Sequence, residues 1–352
     1  MSDAIQLLLP SATAFFIGIL GAPVLSHYLY KHEMWKKRSV KLATDGAPAP
    51  ISQQLHNDEE RKVPRMGGIL VWGSTALTAL VFWVLGETTD SGSLYTLDFI
   101  SRAQTWLPLF TLLAGALCGL IDDYLVCRDS GTYAGGGLSL STRLIFVTLL
   151  GVLGAWWFYV KLDMHTIFVP FVGVVDFGWS FMLIYILFVI GMYSGGIIDG
   201  VDGLSGGVFA SIYTAYSIIA FATGQIDLAA YCAVVVGALL AFLWFNIPPA
   251  RFYNSETGTM GLTTSIVVVA FLTGGVAALP LIALPLVVTS ASALIQILSK
   301  RFRGGKKVFL VAPLHNHFQA IGWPSYKVTM RYWVVSLVCA MLGVVLTLAG
   351  GL

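Results

Sequence analysis

The sequence predicts an all-α, polytopic integral membrane protein with about ten transmembrane helices and both termini extracytoplasmic. Three observations predict it: an apolar composition, apolar stretches of spanning length, and basic residues gathered on one side. Of 352 residues, 57% are hydrophobic and 11% charged, whereas a soluble domain carries about 25% charged residues. A hydrocarbon core about 30 Å thick takes roughly 20 apolar residues per helix. Ten stretches qualify, at about 4–26, 67–86, 106–121, 144–160, 178–198, 204–223, 228–246, 259–278, 280–298 and 331–350.

The first stretch is preceded only by Asp3, with no basic segment and no small-residue cleavage site, so it reads as an uncleaved anchor. The run 259–298 divides into two spans because Gly274, Gly275 and Pro280 interrupt it. Short cytoplasmic loops retain Lys and Arg. The loops after stretches one, three, five, seven and nine hold Lys31, Lys36, Lys37, Arg38, Lys41, Arg61, Lys62, Arg65, Arg128, Arg143, Arg251, Lys300, Arg301, Arg303, Lys306, Lys307, Lys327 and Arg331. Only Arg102 and Lys161 fall opposite, so 18 of 20 basic residues share a side. Residues 1–352 therefore read as one helical transmembrane domain with five cytoplasmic loops that carry the active site, without repeats or low-complexity tracts.

Cys118, Cys127, Cys232 and Cys339 form no CxxC pair and read as packing residues. A net charge of +2 gives no reason to expect a nucleic-acid partner.

Four polar clusters interrupt this apolar chain, all on the side assigned to the cytoplasm. Asp122 and Asp123, in GLIDDYL, end the third stretch. Carboxylates near a bilayer are costly and are retained for function, and an adjacent pair repels itself unless a cation or proton intervenes. Asp199, Gly200 and Asp202, in DGVDGL, lie between two stretches with almost no loop. Glycine allows close approach of a ligand, while a tight turn capped by Asp202 is the structural alternative. The segment FNIPPARFYNSETGT offers Asn246, Tyr253 and Glu256 before a helix start, the kind of place that attracts phosphate; an ordinary interfacial loop is the alternative. Finally, His315, Asn316 and His317 sit in PLHNHF, downstream of Lys306 and Lys307. Spacing of i, i+2 beside a proline does not suit zinc, and hydrogen bonding to phosphate oxygens fits better. Carboxylates, oxygen donors and bases without thiols are the ligand set of Mg²⁺ and a polyphosphate.

These motifs, together with Pro64-Arg65-Met66-Gly67-Gly68 and the run VFLVAPLHNHFQAIGW to SYKVTMRYW, resemble the phospho-N-acetylmuramoyl-pentapeptide transferases, the MraY branch of the polyprenyl-phosphate N-acetylhexosamine-1-phosphate transferases. The resemblance covers most of the chain. It implies a multi-pass enzyme of the bacterial inner (cytoplasmic) membrane that uses Mg²⁺ to transfer phospho-MurNAc-pentapeptide from UDP-MurNAc-pentapeptide to undecaprenyl phosphate, giving lipid I and UMP for peptidoglycan. A homodimer is compatible with it.

By resemblance, Asp122 and Asp123 match the paired aspartates, one of which deprotonates the lipid phosphate. Asp199, Gly200 and Asp202 match the nucleoside-binding loop, Asn246 its amide and Tyr253 its uracil-stacking ring. His315 and His317 match the outer positions of a histidine triplet and act with the carboxylates in catalysis. Glu256, with help from Asp122 or Asp123, is the expected metal ligand.

The chain departs from the family pattern at Glu256, where the family has aspartate, at Asn316, the triplet's middle histidine, and at Tyr193 and Gly196, where asparagines usually stand. The substrate-binding base ahead of Met66-Gly67-Gly68 falls at Arg61 or Lys62, and Lys62 is taken here. Two rivals stand beside this reading. One is a WecA-like GlcNAc-1-phosphate transferase. The other is a non-catalytic paralogue or transporter, although a transporter would place polar groups at the midplane and these spans carry no acidic residue there.

Overall fold

The computed structural model describes residues 3–36, 62–88, 95–101, 104–130 and 136–352. Lys37, Arg38, Lys41, Arg61 and Arg102, used above to orient the chain, lie outside the described residues. The long helices are α1 (Asp3–Lys31), α2 (Gly68–Thr88), α3 (Trp106–Cys127), α4 (Leu140–Trp156), α5 (Ser180–Ser194), α6 (Leu204–Ala222), α7 (Ile226–Asn246) and α8 (Ser255–Leu272). They are followed by α9 (Leu279–Ile282), α10 (Leu284–Phe302), α11 (Leu314–Ala320) and α12 (Ser325–Ala349). Among the described residues nine helices are long and apolar enough to cross a membrane, or ten if the bent pair around Ala283 counts as one span. The polytopic helical fold stands as expected from composition and stretch length.

One expected span is broken. The ninth stretch, 280–298, bends by 72° between residues 276–282 and α10. The cause is local: Pro280 and Pro285 each stand in a first helical turn, where a missing N–H costs nothing, and each starts a new helix instead of continuing the last. A second departure from the all-helical expectation is a hairpin of β1 (Thr166–Val169) and β2 (Gly173–Asp176), antiparallel with Thr166 opposite Asp176. Its turn uses Phe171 and Gly173 in left-handed conformations, at φ 64° and 97°.

The helix pair that matters most for the site is α3 with α8. Small residues let the two backbones nearly touch: a Cβ on Gly115 would lie 2.7 Å from Thr264 Oγ1 and 2.8 Å from Met260 O. Without a hydrophobic driving force inside lipid, such close van der Waals packing is what holds membrane helices together. The pair runs antiparallel, so the last turn of α3, with Asp122 and Asp123, lies beside the first turn of α8, with Glu256 and Thr257. At the opposite end of the bundle, Phe171 N donates to Gly350 O and ties the hairpin to the end of α12.

Candidate active site

The first turn of α8 has no side-chain cap of its own from Asn254. One of its orphan donors is met by the neighbouring helix instead, because Asp123 Oδ2 accepts from Thr257 N at 2.8 Å, and the same oxygen accepts from Thr257 Oγ1 at 2.6 Å. A carboxylate there also complements the positive end of the α8 dipole. The other oxygen, Asp123 Oδ1, pairs with Arg65 Nε at 2.8 Å. Asp123 is fully buried and both of its oxygens are engaged.

Burial disfavours the charge of Arg65, but Asp123 beside it more than offsets this and holds the guanidinium more firmly charged than usual. Asp122, one residue earlier, accepts Leu138 N on Oδ1 at 2.6 Å and faces Arg143 Nη1 at 3.7 Å with Oδ2. Arg143 reaches Glu256 Oε1 with that same nitrogen at 2.7 Å. It stands in the first turn of α4, a helix capped by Ser139, whose Oγ accepts Thr142 N at 3.1 Å. Arg143 Nε is buried without a hydrogen-bond partner among the described residues, a state costing about 1–3 kcal/mol. Tyr193 lies close enough to feel the charges of both Glu256 and Arg143.

The expected site residues thus divide. Asp122, Asp123 and Glu256 converge at one end of the bundle, as expected, and they do so around two arginines. Asp199 joins them through Ser255, the residue before Glu256, but as a brace: its Oδ2 accepts Ser255 N and its Oδ1 accepts Ser205 Oγ, both at 2.6 Å. Burial pushes the Asp199 carboxyl upward, against those two hydrogen bonds. Ser255 needs the brace, since it holds a left-handed φ of 56°.

Asp202 Oδ2 accepts Ala250 N at 2.9 Å. Asn246 is buried, with Oδ1 accepting Gly203 N at 2.9 Å and Nδ2 donating to Phe252 O at 2.8 Å. Asn246 therefore clamps two backbone turns together. The capping alternative for Asp202 is not what forms: Gly203, at φ 73°, is the N-cap of α6.

His315 is buried against Gly200, where an added Cβ would lie 2.5 Å from His315 Nε2. That contact links the histidine segment to the Asp199 loop. His317 Nδ1 faces Leu310 N at 3.3 Å, and Asn316 Oδ1 is buried without a hydrogen-bond partner among the described residues. Tyr253 hydrogen bonds through its backbone to Pro64 and Gly67, which docks the segment carrying Arg65 onto the α8 approach. Lys62 is exposed.

Sequence reading missed Arg65 and Arg143 as site residues. Arg143 was counted only as an orientation marker and Arg65 as that and as part of the Pro64–Gly68 motif, although a basic residue in the first turn of an apolar helix, as Arg143 is, could have been singled out. Thr257, Ser205, Thr329 and Trp333 were missed too; the last two donate to Asp202 O and Gly203 O.

A hard divalent cation needs several oxygens aimed at one point. Here Asp123 spends both oxygens on protein donors, Asp122 spends one, and Glu256 faces a guanidinium. Among the described residues no group of three Asp, Glu, His or Cys side chains could hold a metal ion. As arranged, the carboxylates do not fit the Mg²⁺ that the resemblance implies.

Residues 105–274 match the profile of glycosyl transferase family 4. Along nearly the whole chain, a phospho-N-acetylmuramoyl-pentapeptide-transferase of Listeria monocytogenes is 27% identical over 95% of each sequence. One from Anoxybacillus flavithermus is 29% identical over 96% of this chain and 97% of its own, and one from a Geobacillus species is 32% identical over 80% and 82%. The chain belongs to the phospho-N-acetylmuramoyl-pentapeptide-transferase family. The matched profile contains Asp122, Asp123, Arg143, the Asp199 loop and Glu256, and leaves the histidine segment outside.

Proposed function

We propose that this protein transfers phospho-MurNAc-pentapeptide from UDP-MurNAc-pentapeptide to undecaprenyl phosphate, yielding lipid I and UMP at the cytoplasmic face of the bacterial inner membrane. The observation that carries this reading is the meeting of Asp122, Asp123 and Glu256 with Arg65 and Arg143 at one end of an apolar bundle. Acids and guanidinium groups drawn from four separate segments are costly beside lipid and suit a reaction that moves charge between phosphates.

In the reaction, an oxygen of the prenyl phosphate attacks the β-phosphorus of the nucleotide sugar. The bond between that phosphorus and the α–β bridging oxygen breaks, and UMP departs with the bridging oxygen. Asp123, saturated by Arg65 and Thr257, positions its neighbours and has no lone oxygen to offer. Asp122 Oδ2, paired only at 3.7 Å, is the oxygen available to take a proton from the prenyl phosphate. His315, packed on Gly200, stands next to the loop that precedes α6 and orients a phosphate oxygen. Magnesium, the cofactor expected from the sequence, finds no ready site among these carboxylates, so these steps are those of the chain's own residues.

The deciding experiment gives the purified protein undecaprenyl phosphate with either UDP-MurNAc-pentapeptide or UDP-GlcNAc and follows UMP release. Turnover of the first supports the proposal. Turnover of UDP-GlcNAc alone would transfer the chain to the GlcNAc-1-phosphate branch, and binding without UMP release would make it a non-catalytic relative.

A further inference from the structure

Glu256 Oε1 accepts a hydrogen bond from Arg143 Nη1 at 2.7 Å. The guanidinium also lies 3.7 Å from Asp122, so one cation stands between the two acids otherwise available to a metal. Its side chain is 18% exposed, and its Nε has no hydrogen-bond partner among the described residues. A guanidinium carries five N–H donors in a rigid fork, and the hydrogen bond to Glu256 uses only Nη1. That fork matches phosphate geometry, binds it in a bidentate way and never loses its charge at physiological pH. Arg65, bound to Asp123, supplies a second fixed positive charge beside it.

We propose that Arg143, aimed by Glu256 and Asp122, is the residue that grips the diphosphate of the nucleotide substrate, so that this chain binds a nucleoside diphosphate without a divalent cation. The proposal rests on the transferase reading above and adds to it the identity of the neutralising charge. Preorganised charge at the position where phosphoryl oxygens gather is a large contributor to such reactions. A guanidinium already fixed among carboxylates needs no ion to be captured first. Glu256 is then a positioning residue, holding Arg143 by charge in place of ligating a metal.

Calorimetry on the full chain in detergent, with UDP as the probe, tests this in EDTA and in Mg²⁺, for the native protein and for Arg143→Lys. Native protein is expected to bind UDP in EDTA nearly as well as in Mg²⁺. Arg143→Lys, which keeps the charge but loses the fork, is expected to weaken binding in EDTA about tenfold, the scale of one charge-assisted hydrogen bond. Native binding that vanishes in EDTA and returns with Mg²⁺ would overturn the proposal, and this arm needs no variant to fold. Unchanged UDP affinity in Arg143→Lys, or no UDP binding under either condition, would overturn it while leaving the transferase reading to the UMP-release assay. As a second readout, the spectrum of Mn²⁺ added to the native protein alone should remain that of the free ion; a tightly bound Mn²⁺ signal would contradict a site already filled by guanidinium.

Discussion

Two groups of acids lie at the same end of this bundle and were singled out by the same sequence argument, yet they are built for different work. Asp122, Asp123 and Glu256 face arginines, whereas Asp199 and Asp202 face backbone N–H groups and a serine hydroxyl. A carboxylate paired with a guanidinium leaves donors on that guanidinium that a phosphate can reach. A carboxylate spent on backbone donors has its geometry fixed by the fold and braces a turn. The comparison teaches that an acid near a membrane interface is assigned to chemistry or to architecture by its partner, not by its spacing.

The largest effect that would sharpen this contrast comes from Asp123→Asn. The variant leaves Arg65 as a partly buried cation without its counter-charge and turns an amide NH₂ toward either Arg65 or Thr257. Turnover is expected to fall about a hundred- to a thousandfold, the scale of losing one preorganised electrostatic contact. Stability is expected to drop by about 1.5–3 kcal/mol, the scale of a hydrogen bond to a charged group, because Arg65 keeps partial access to solvent. Lipid I formation by an otherwise folded protein at near-native rates would remove the paired aspartates from the mechanism.

Glu256 separates the two kinds of acid by charge and reach. Glu256→Gln keeps the shape but loses the ion pair to Arg143, and turnover is expected to fall about tenfold or more. Glu256→Asp keeps the charge and withdraws it by about one bond length, for a smaller loss. If Gln were tolerated as well as Asp, the charge of Glu256 would be irrelevant and its pairing with Arg143 incidental.

The architectural pair predicts another signature. Asp199→Asn retains one accepting oxygen and presents an NH₂ to a group that itself donates, Ser205 Oγ or Ser255 N. The expected cost is about 1–3 kcal/mol of stability, read as an earlier thermal unfolding in detergent, with nucleotide KM within about twofold of native. A raised KM at unchanged stability would return Asp199 to the ligand-binding role that the family resemblance gave it.

How much of this was legible in the sequence follows the physics of each signal. Helices announce themselves because lipid forces every backbone group to be satisfied within a segment, so stretch length alone placed nearly every span. The break at Ala283 was half visible: Pro280 was read as a boundary, but Pro285 was not read as the start of a further helix. The convergence of Asp122, Asp123 and Glu256 was legible because charge is costly in that setting. The arginines were not, because Arg65 and Arg143 belong to a class of residue that ordinary loops carry freely, and only the bonds of Tyr253 with Pro64 and Gly67, and of Leu138 with Asp122, bring them among the acids. The bracing role of Asn246 was equally hidden, since an amide that clamps Gly203 to Phe252 and one that reads a base are the same residue in a sequence.

The smallest expected effect tests the one basic residue that sequence reasoning placed in the site. Lys62 is exposed ahead of Arg65, which is the residue that reaches Asp123. A solvated ammonium at that position interacts with a bound anion only through high dielectric and salt, a contribution of about 0–1 kcal/mol. Lys62→Ala is therefore expected to change kcat/KM by about threefold or less, and the change should fade as ionic strength rises. Arg65→Ala in the same assay should be far more damaging, because it strips Asp123 of its counter-charge. A large, salt-insensitive loss in Lys62→Ala would mean that the lysine closes onto the diphosphate when substrate binds, and the division between interior arginines and peripheral lysine would then fail.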